Sequence, residues 1–498
     1  MLPLLDARQI RSVDQATLIE QGISDAELMW RAASLLFRQV KARIRSAGLS
    51  HAPVFIFCGP SNNGGDGLVV ALHFLEEAIQ PVYVFLLSRD GSPSFEHYRK
   101  QVEEKLQPVV LGSAADFPQI PSGSIVIDAL FGTGLNRPLD GFTAQLVTYL
   151  NQSHALRLAI DVPSGLYVDQ PCTGPVFSAH HTFTFQLPKL SFLMAENATS
   201  VGNWSVVDIG LSRQAIAKAN TSYFLLEQQD VASLLKERPR FAHKGHFGHA
   251  LIVAGSEPTA GAAVLSTQAC VRSGAGLTTA LIPSALRAVI NMTVPEAMTL
   301  SRETFSAMQL SRFTAVAAGP GMGTDEAGLQ LLNAVLQHRR LVLDADALTL
   351  LAQHNLLSQL PPGTVLTPHP KEWERLTEKS TDWLKSLQRQ QELSVRHKCM
   401  VVRKGAYSCI SGPDGRCCFN PTGNSGMAKG GSGDVLTGMI GALLAQGYDP
   451  WEAALLGTYV HGLAGDLAVL QTGDIALTPS DLIHHLGQAF RQLKGQHG

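Results

Sequence analysis

Residues 54–78 read VFIFCGPSNNGGDGLVVALHFLEEA, and this stretch decides the fold class. The run Val54–Cys58 is short, apolar and rich in β-branched and aromatic residues, which predicts a buried strand. It leads directly into the glycine-rich segment 59–67, and Leu68–Ala78 then has the apolar spacing of a helix. A strand, a glycine-rich turn and a helix in this order are typical of a doubly wound, mostly parallel α/β sheet.

The same pattern extends to both sides of this stretch. The first 45 residues predict two helices, and Ser24 and Glu27 have the spacing of a capping box. Further strands are predicted at Val82–Leu87, Ile125–Asp128, Leu158–Asp161, His181–Phe185 and Trp204–Val207. The N-terminal half therefore predicts a sheet whose strands alternate with helices.

A second α/β series follows a polar interval. The strand pattern lapses between Leu211 and Arg240, which predicts one domain at residues 1–225 and another at residues 226–498. Strands are predicted in the second half at Ala250–Ala254, Leu277–Ile282, Ala315–Ala318, Arg340–Leu343, Val365–Leu366, Met400–Arg403 and Tyr407–Ser411. The chain from Gly430 onward predicts mainly helix.

Composition excludes several classes of protein. Of the 498 residues, 45% are hydrophobic and 16% charged, which is a globular composition rather than a disordered one. The formal net charge is −2 and no long basic run occurs, so neither nucleic acid nor an anionic membrane is an expected partner. The apolar stretch Val435–Gly447 contains three glycines and is shorter than the roughly 20 residues of a spanning helix.

Cysteine usage indicates a reducing compartment. The chain has seven cysteines, an odd number, and they are scattered without a C-x-x-C pair. Residues 1–14 lack the apolar core of a secretory signal. We therefore expect free thiols and a cytoplasmic enzyme.

Three segments of the N-terminal half predict one small-molecule site. Segments 59–67, 128–138 and 161–165 each follow a predicted strand, and the carboxyl ends of parallel strands meet at one edge of a sheet. Glycines let backbone amides approach a pyrophosphate, and the start of the helix at Leu68 adds the positive end of its dipole. A glycine-rich turn alone is common in proteins, but three converging segments favour a site.

The side chains in these segments suggest their chemistry. Asn63, Asp128 and Ser164 offer hard oxygen ligands suited to an alkali or alkaline-earth ion. Asp161 ends a buried strand, where removal from water favours proton transfer. An aspartate at a strand end is also often a turn former or a helix cap.

The combination NNGGDG at 62–67, DALFGTGLNRP at 128–138 and DVPSG at 161–165 resembles the YjeF N-terminal family, the NAD(P)H-hydrate epimerases. The resemblance implies a Rossmann-like fold, a bound potassium ion and a hydrated dinucleotide substrate, NADHX or NADPHX. It assigns substrate binding to Asn62, Asn63, Gly64, Gly65, Asp66, Gly132, Thr133, Gly134, Leu135, Asn136, Arg137 and Pro138. It assigns potassium to Asn63, Asp128 and Ser164, and substrate contact and acid/base catalysis to Asp161.

The strongest signal in the C-terminal half is residues 424–438, which read NSGMAKGGSGDVLTG. Glycines that open a helix present several backbone N–H donors to an anion. Asp434 follows them directly, where it can deprotonate a hydroxyl that attacks a phosphoryl group. The plainer interpretation is a flexible loop whose aspartate interacts with the helix dipole.

Four companion segments, at 319–323, 344–348, 367–372 and 403–406, accompany this loop. The set resembles the carbohydrate kinase-like family of the ribokinase superfamily, and within it the ADP-dependent NAD(P)H-hydrate dehydratases. The resemblance assigns the adenine nucleotide to Lys404, Gly405, Ala406, Tyr407, Ser408 and Gly433, and the hydrate to Ala262, Gly321, His369 and Asp434. Lys371 and Lys429 depart from the usual glycine and uncharged residue at their positions.

Together the two resemblances predict a bifunctional repair enzyme. It would epimerise the R and S forms of NADHX and NADPHX and dehydrate the S form at the expense of ADP, with Mg²⁺, giving AMP and phosphate. A homo-oligomer is expected by resemblance only. Two alternatives stay open: a ribokinase-like kinase of a vitamin alcohol, and a non-catalytic dinucleotide-binding module.

Overall fold

The computed structural model describes residues 1–495. The chain divides into two compact units, Pro3–Thr221 and a second that joins Met1–Leu2 to the residues from Ser222 onward. We call them the N-terminal and C-terminal units. The predicted domain limit after residue 225 falls a few residues beyond this division.

The strands of the first half of the chain are β1 (Leu2–Pro3), β2 (Val54–Cys58), β3 (Val82–Leu86), β4 (Val109–Val110), β5 (Ile125–Ala129), β6 (Leu156–Ile160), β7 (His181–Phe185) and β8 (Asn203–Val207). The helices are α1 (Ala7–Gln21), α2 (Asp25–Ser46), α3 (Asn62–Glu77), α4 (Pro93–Glu103), α5 (Gly141–Asn151), α6 (Ala198–Val201) and α7 (Arg213–Lys218). The capping box predicted at Ser24 and Glu27 opens α2.

The N-terminal unit is a doubly wound sheet, which confirms the predicted fold class. Its seven strands lie in the order β4-β3-β2-β5-β6-β7-β8 and every pairing is parallel. The order reverses between β2 and β5, where Phe57 pairs with Asp128. Ligands bind outside the carboxyl ends of the strands at such a switch point.

Helix α3 begins at Asn62, six residues before the predicted start at Leu68. The prediction was wrong because glycine has a low helix propensity, whereas here glycine is required by packing. A Cβ on Gly64 would lie 1.7 Å from the Gly59 carbonyl oxygen, and one on Gly67 would lie 2.6 Å from the Ala129 Cβ. The glycines therefore let the helix lie directly against the ends of β2 and β5.

The strands of the second half are β9 (Tyr223–Leu225), β10 (His249–Val253), β11 (Leu277–Ile282), β12 (Met298–Ser301), β13 (Ala315–Ala318), β14 (Leu341–Leu343), β15 (Val365–Leu366), β16 (Met400–Arg403), β17 (Cys409–Ser411) and β18 (Cys417–Phe419). The helices are α8 (Gln228–Ala232), α9 (Ala260–Arg272), α10 (Arg287–Thr293), α11 (Glu326–Val335), α12 (Ala345–Gln353), α13 (Pro370–Leu376), α14 (Trp383–His397), α15 (Ser432–Ala445), α16 (Pro450–Ala476) and α17 (Pro479–Lys494).

The sheet of this half has eleven strands in the order β1-β9-β18-β17-β16-β15-β14-β13-β10-β11-β12. The strands from β10 to β16 pair in parallel, and β16, β17 and β18 pair antiparallel. Alternate residues of β10 face opposite cores, with Ile252 in one cluster and Leu251 in the other. The predicted strand at Tyr407–Ser411 is shorter than expected and starts at Cys409.

Within the described residues, one helix, α16, is long and apolar enough to cross a membrane by length and composition. It packs against α15 and α17 as a core helix, and 72% of its apolar window is buried. The core helix of a water-soluble protein passes the same test.

Candidate active sites

The first cavity lies in the N-terminal unit at the carboxyl ends of β2, β5 and β6, and its volume is about 660 Å³. Its walls include the predicted substrate residues Asn62, Asn63, Asp66, Gly132, Thr133, Gly134, Leu135, Asn136, Arg137 and Asp161. Gly64, Gly65 and Pro138 lie outside the wall. Two of these, Gly64 and Gly65, serve helix packing, since a Cβ on Gly65 would lie 2.5 Å from the Met29 sulfur.

Asp161 is held in an unusual backbone conformation directly after β6. Its φ is 60°, in the left-handed region that few residues other than glycine, asparagine and aspartate adopt. Its Oδ1 accepts hydrogen bonds from Thr184 Oγ1 at 3.0 Å and from the Phe185 amide at 3.2 Å. Lys189 Nζ lies 3.1 Å away, and the Lys189 side chain is only 2% exposed. The buried ammonium stabilises the Asp161 carboxylate.

Three further carboxyls, Asp14, Asp25 and Asp66, face the same cavity, and of these only Asp66 was predicted as a site residue. Asp14 lies on α1, and burial together with the Asp161 charge raises its pKa to about 6. Burial, Asp161 and Asp14 likewise raise the pKa of Asp66 well above its usual range. The cavity thus holds one carboxylate paired with a lysine, together with two carboxyls, Asp14 and Asp66, whose pKa is raised.

Of the three predicted potassium ligands, Asn63 lies in the cavity wall, and Asp128 and Ser164 lie behind it. The Asp128 carboxylate is fully buried and accepts hydrogen bonds from the Ser164 amide at 2.8 Å and the Ser164 hydroxyl at 2.6 Å. Burial raises the pKa of Asp128 to about 6, and no lysine, arginine or histidine of residues 1–495 forms an ion pair with it. Asn63 is buried, and its Nδ2 has no hydrogen-bond partner. This oxygen-rich pocket fits a cation, which would compensate the buried charge.

The second cavity lies in the C-terminal unit and has a volume of about 960 Å³. Its walls include all the predicted nucleotide residues, Lys404, Gly405, Ala406, Tyr407, Ser408 and Gly433, together with His369 and Asp434. Ala262 and Gly321 do not line it. They adjoin each other beyond β10 and β13, where a Cβ on Gly321 would lie 3.3 Å from the Ala262 Cβ.

Lys404 organises the charges of this cavity. Its Nζ lies 2.8 Å from Asp344 Oδ1 and 3.9 Å from Glu372 Oε2, and both carboxylates are buried. The Thr437 hydroxyl donates to the other oxygen of Asp344 at 2.7 Å. A Cβ on Gly433 would lie 3.1 Å from the same Nζ, so this ammonium reaches the first turn of α15. Neither Asp344 nor Glu372 was predicted as a site residue.

Asp434 stands in the first turn of α15 without an ion-pair partner among residues 1–495. Burial and the nearby Asp344 carboxylate raise its pKa to about 7. Gly431 caps the helix with a φ of 99°, a conformation that glycine adopts without strain. A carboxyl group that titrates near neutrality is suited to accept a proton from a substrate hydroxyl.

Two histidines line the second cavity. His369 caps α13 and accepts from the Lys371 amide at 3.1 Å, and its Nε2 lies 3.2 Å from Glu372 Oε1. His461 lies 2.9 Å from the Ser432 carbonyl oxygen, and burial lowers its pKa to about 4. His461 is therefore neutral at physiological pH, and it was not predicted as a site residue.

Comparison with known proteins covers both units. Residues 25–191 match the family described as YjeF-related protein N-terminus, and residues 250–488 match the family described as NAD(P)H-hydrate dehydratase. A bifunctional NAD(P)H-hydrate repair enzyme of Moorella thermoacetica is 35% identical over 521 residues, 99% of this chain and 97% of that protein. The chain belongs to the bifunctional NAD(P)H-hydrate repair enzymes.

Other relatives agree with this membership. The repair enzyme of Escherichia coli is 33% identical over 490 residues, 96% of this chain and 92% of that protein. A ribokinase-like superfamily protein from Enterococcus faecalis superposes with a TM-score of 0.51 at 29% identity, covering 55% of this chain and 98% of that chain. The two resemblances and the ribokinase-like fold of the C-terminal unit are thereby confirmed.

The repair-enzyme motifs predicted many residues of the two cavity walls, but they did not predict several of the ionisable side chains there. Asp14 and Lys189 in the first cavity, and Asp344, Glu372 and His461 in the second, all lie in cavity walls. Asp344 and Glu372 belong to segments already singled out in the sequence. The only sequence signal for Asp14 is its position on α1. Ile10 and Asp14 are four residues apart, as are Arg11 and Gln15, so all four residues lie on one face of the helix.

Proposed function

We propose that the C-terminal site removes water from the S form of hydrated NADH or NADPH and that ADP supplies the phosphoryl group. The observation that carries this proposal is Asp434, a carboxyl with a pKa near 7 at the amino end of α15 in the wall of a large cavity. Family membership supplies the substrate class. The cavity supplies a base, a helix terminus and the Lys404 ammonium.

The chemistry assigns a role to each group. Asp434 takes the proton of the C6 hydroxyl as its oxygen attacks the β-phosphorus of ADP, and AMP leaves. Backbone amides at 430–433 stabilise the charge of the transferring phosphoryl group. The ring nitrogen lone pair then expels phosphate as the C6–O bond breaks, and the released phosphate takes the C5 proton, which restores the dihydronicotinamide.

Magnesium fits this cavity as a partner of the nucleotide. Among the described residues, no cluster of three or more histidine, cysteine, aspartate or glutamate side chains is arranged to hold a metal. Mg²⁺ is commonly bound by one or two carboxylates together with substrate phosphates, and Asp344 and Glu372 line the cavity. Bound Mg²⁺ would neutralise phosphate charge.

We propose that the N-terminal site interconverts the R and S epimers of the same hydrate. Asp161, fixed by Lys189, is the proton acceptor for the C6 hydroxyl. Arg137 in the cavity wall is suited to bind a phosphate of the dinucleotide. The dehydratase consumes one epimer, so an epimerase in the same chain lets both be repaired.

Potassium is proposed at Asn63, Asp128 and Ser164. The buried Asp128 carboxylate, which has no counter-cation among residues 1–495, supports this site. Thermal unfolding in KCl, NaCl or LiCl at equal ionic strength tests it. Stabilisation by K⁺ that Asp128→Asn abolishes is expected, and equal midpoints in all three salts would exclude a potassium site.

The decisive assay starts from a mixture of both epimers of hydrated NADH. The protein is added with ADP and Mg²⁺, and recovery of the reduced-cofactor absorbance is followed, with ATP in a parallel run. Full recovery, faster than the epimers interconvert unaided, is expected. Recovery of one epimer's share alone would contradict the epimerase proposal, and release of a stable phosphorylated product would indicate a small-molecule kinase instead.

A cytoplasmic homo-oligomer that binds only small molecules is part of the proposal. All seven cysteines are free, and every one except Cys172 is buried. The Phe241 side chain is 93% exposed, and such a surface aromatic is suited to a subunit contact. Light scattering on the purified protein, with Phe241→Ser as the variant, tests the oligomer.

A further inference from the structure

The first cavity contains a carboxyl that the proposed function leaves without a task. Asp14 lies on α1, and Ile10, Arg11 and Gln15 of the same helix line the cavity beside it. Because residues four apart share one face of a helix, this face of α1 forms one wall. Asp161 and Lys189 belong to another wall, at the ends of β6 and β7.

The Asp14 carboxyl has no structural partner. Within residues 1–495 it accepts no hydrogen bond and forms no ion pair, unlike Asp6, which caps the same helix. The residue is half-buried, whereas Asp66 is only 8% exposed. Of the two carboxyls with raised pKa, Asp14 is therefore the one that a substrate and then solvent can reach.

The charges around Asp14 favour its protonated form. Asp161 and Asp25 raise its pKa, Lys189 lowers it, and burial is the largest cause of its rise to about 6. Asp66 from α3, Arg11 from α1 and Arg137 from the loop after β5 also face the cavity. The only cation that forms an ion pair with a carboxylate in the cavity wall, among the described residues, is Lys189, and its partner is Asp161.

We propose that Asp14 is the second proton-transfer residue of the N-terminal site and acts on the same substrate ring as Asp161. The inference rests on the proposed epimerase function. Four carboxyls line the cavity, and Asp161 alone among them is paired with a lysine within residues 1–495. A paired Asp161 and an unpaired Asp14 on another wall suit a reaction that needs both a base and an acid.

The proton balance of epimerisation gives both residues a place. Asp161 takes the proton of the C6 hydroxyl, and the C6–N1 bond breaks with its electron pair moving to N1. N1 takes the proton of Asp14, which leaves an open-chain aldehyde, a protonated Asp161 and an Asp14 carboxylate. Rotation about the C5–C6 bond turns the other face of the aldehyde toward N1. Reversal of both transfers then closes the ring as the other epimer.

The test compares Asp14→Asn, Asp14→Glu and the surface control Asp90→Asn for conversion of pure R epimer. Asp14→Asn is expected to lower kcat by about 10²–10⁴-fold, the usual contribution of a general acid, with little change in KM. Because the acid must be protonated, kcat/KM of the native chain falls as pH rises through about 6. That fall is absent in Asp14→Asn and is retained, at a shifted pH, in Asp14→Glu.

The possible outcomes distinguish a failure of the role proposed for Asp14 from a failure of the proposed epimerase function. Native kcat and an unchanged pH profile in Asp14→Asn, with Asp161→Asn inactive, would overturn the role of Asp14 and leave the epimerase standing. Equal losses in both Asp14 variants without any change of the pH profile would show that Asp14 is structural, which also overturns it. A native chain that does not epimerise would overturn both. Thermal unfolding of each variant, followed by circular dichroism, reports whether the N-terminal unit, which contains Asp14, is folded.

Discussion

The two cavities contain the same kinds of groups and use their lysine differently. In the C-terminal cavity Lys404 pairs with Asp344, and the proposed base Asp434 is left without a cation and has a pKa near 7. In the N-terminal cavity Lys189 pairs with Asp161, the proposed base itself. There the raised pKa values belong to Asp14 and Asp66 instead.

This difference follows from what each reaction demands of its carboxyls. Phosphoryl transfer needs one base matched to a hydroxyl at neutral pH, and charge stabilisation comes from amides and a cation. Ring opening and closure need a base and an acid at the same time. Lys189 pairs with Asp161 and leaves Asp14 without an ion pair among residues 1–495, so the two carboxyls have different surroundings.

The largest expected effect is a reciprocal loss of activity. Asp434→Asn is expected to lower dehydration by about 10²–10⁴-fold and leave epimerisation intact, because a general base is lost from one cavity only. Asp161→Asn is expected to do the reverse. Each variant is assayed with pure S epimer plus ADP and with pure R epimer alone, and a variant that loses both activities would contradict independent sites.

Removal of each lysine tests whether a more deeply buried ion pair contributes more to the free energy of unfolding. Lys189→Met leaves the buried Asp161 carboxylate without its ion-pair partner. We expect a loss of about 3–5 kcal/mol in the free energy of unfolding. Lys404 is 21% exposed, so Lys404→Met is expected to cost less, about 1–3 kcal/mol. Urea unfolding followed by circular dichroism measures both.

The control for the lysine variants is Lys41→Met. Lys41 pairs with Glu77 at the surface, with 35% and 31% of the two side chains exposed, so a loss of about 0–1 kcal/mol is expected. Equal losses in all three variants would show that burial does not distinguish the pairs.

Glycines at the two helix starts should differ in their tolerance of a methyl group. Gly64→Ala places a Cβ against the Gly59 carbonyl oxygen. We expect the free energy of unfolding to fall by about 1–3 kcal/mol. Gly430→Ala meets nothing within 4 Å, so its effect on stability should stay within about 0.5 kcal/mol. Urea midpoints of the two variants decide, and equal values would mean that the glycines of α3 are not packing residues.

The smallest expected effect is a difference in pH dependence. Asp434 must be ionised to accept a proton, so kcat/KM for dehydration should rise about tenfold per pH unit below about 7 and level off above it. The pKa of Asp434 is higher in the folded chain than in the unfolded chain. The protonated carboxyl therefore contributes to the free energy of unfolding at pH values below the unfolded-state pKa, and this contribution is lost as pH rises through about 7. Asp434→Asn should therefore be more stable than the native chain at pH 8, which thermal unfolding measures. A lower midpoint would contradict the raised pKa.

Motifs at strand ends predicted the positions of both cavities from the sequence. The order of strand, glycine and aspartate located both cavities, because the carboxyl ends of parallel strands converge by topology. The short strands β1, β4, β9, β12 and β18 were missed because they have two to four residues and no alternation to detect.

The residues that complete the sites depend on tertiary structure. Lys189 lies four residues after β7 in an irregular segment, where a lysine is ordinarily exposed, yet it is 2% exposed. Asp14 stands on an amphipathic helix, where a charged residue ordinarily faces water. Neither position differs in its local sequence from a solvated one, and only the packing of distant segments places both residues in the cavity wall.

The left-handed backbone of Asp161 has a consequence for how this enzyme loses its activity in evolution. At a φ of 60° the chain accepts aspartate, asparagine or glycine readily and resists branched residues. The codons of aspartate and asparagine differ by a single base. A single-base change at this position therefore suits the same backbone conformation while it removes the proposed base, so we expect the proposed catalyst and a chain without that base to be one nucleotide apart.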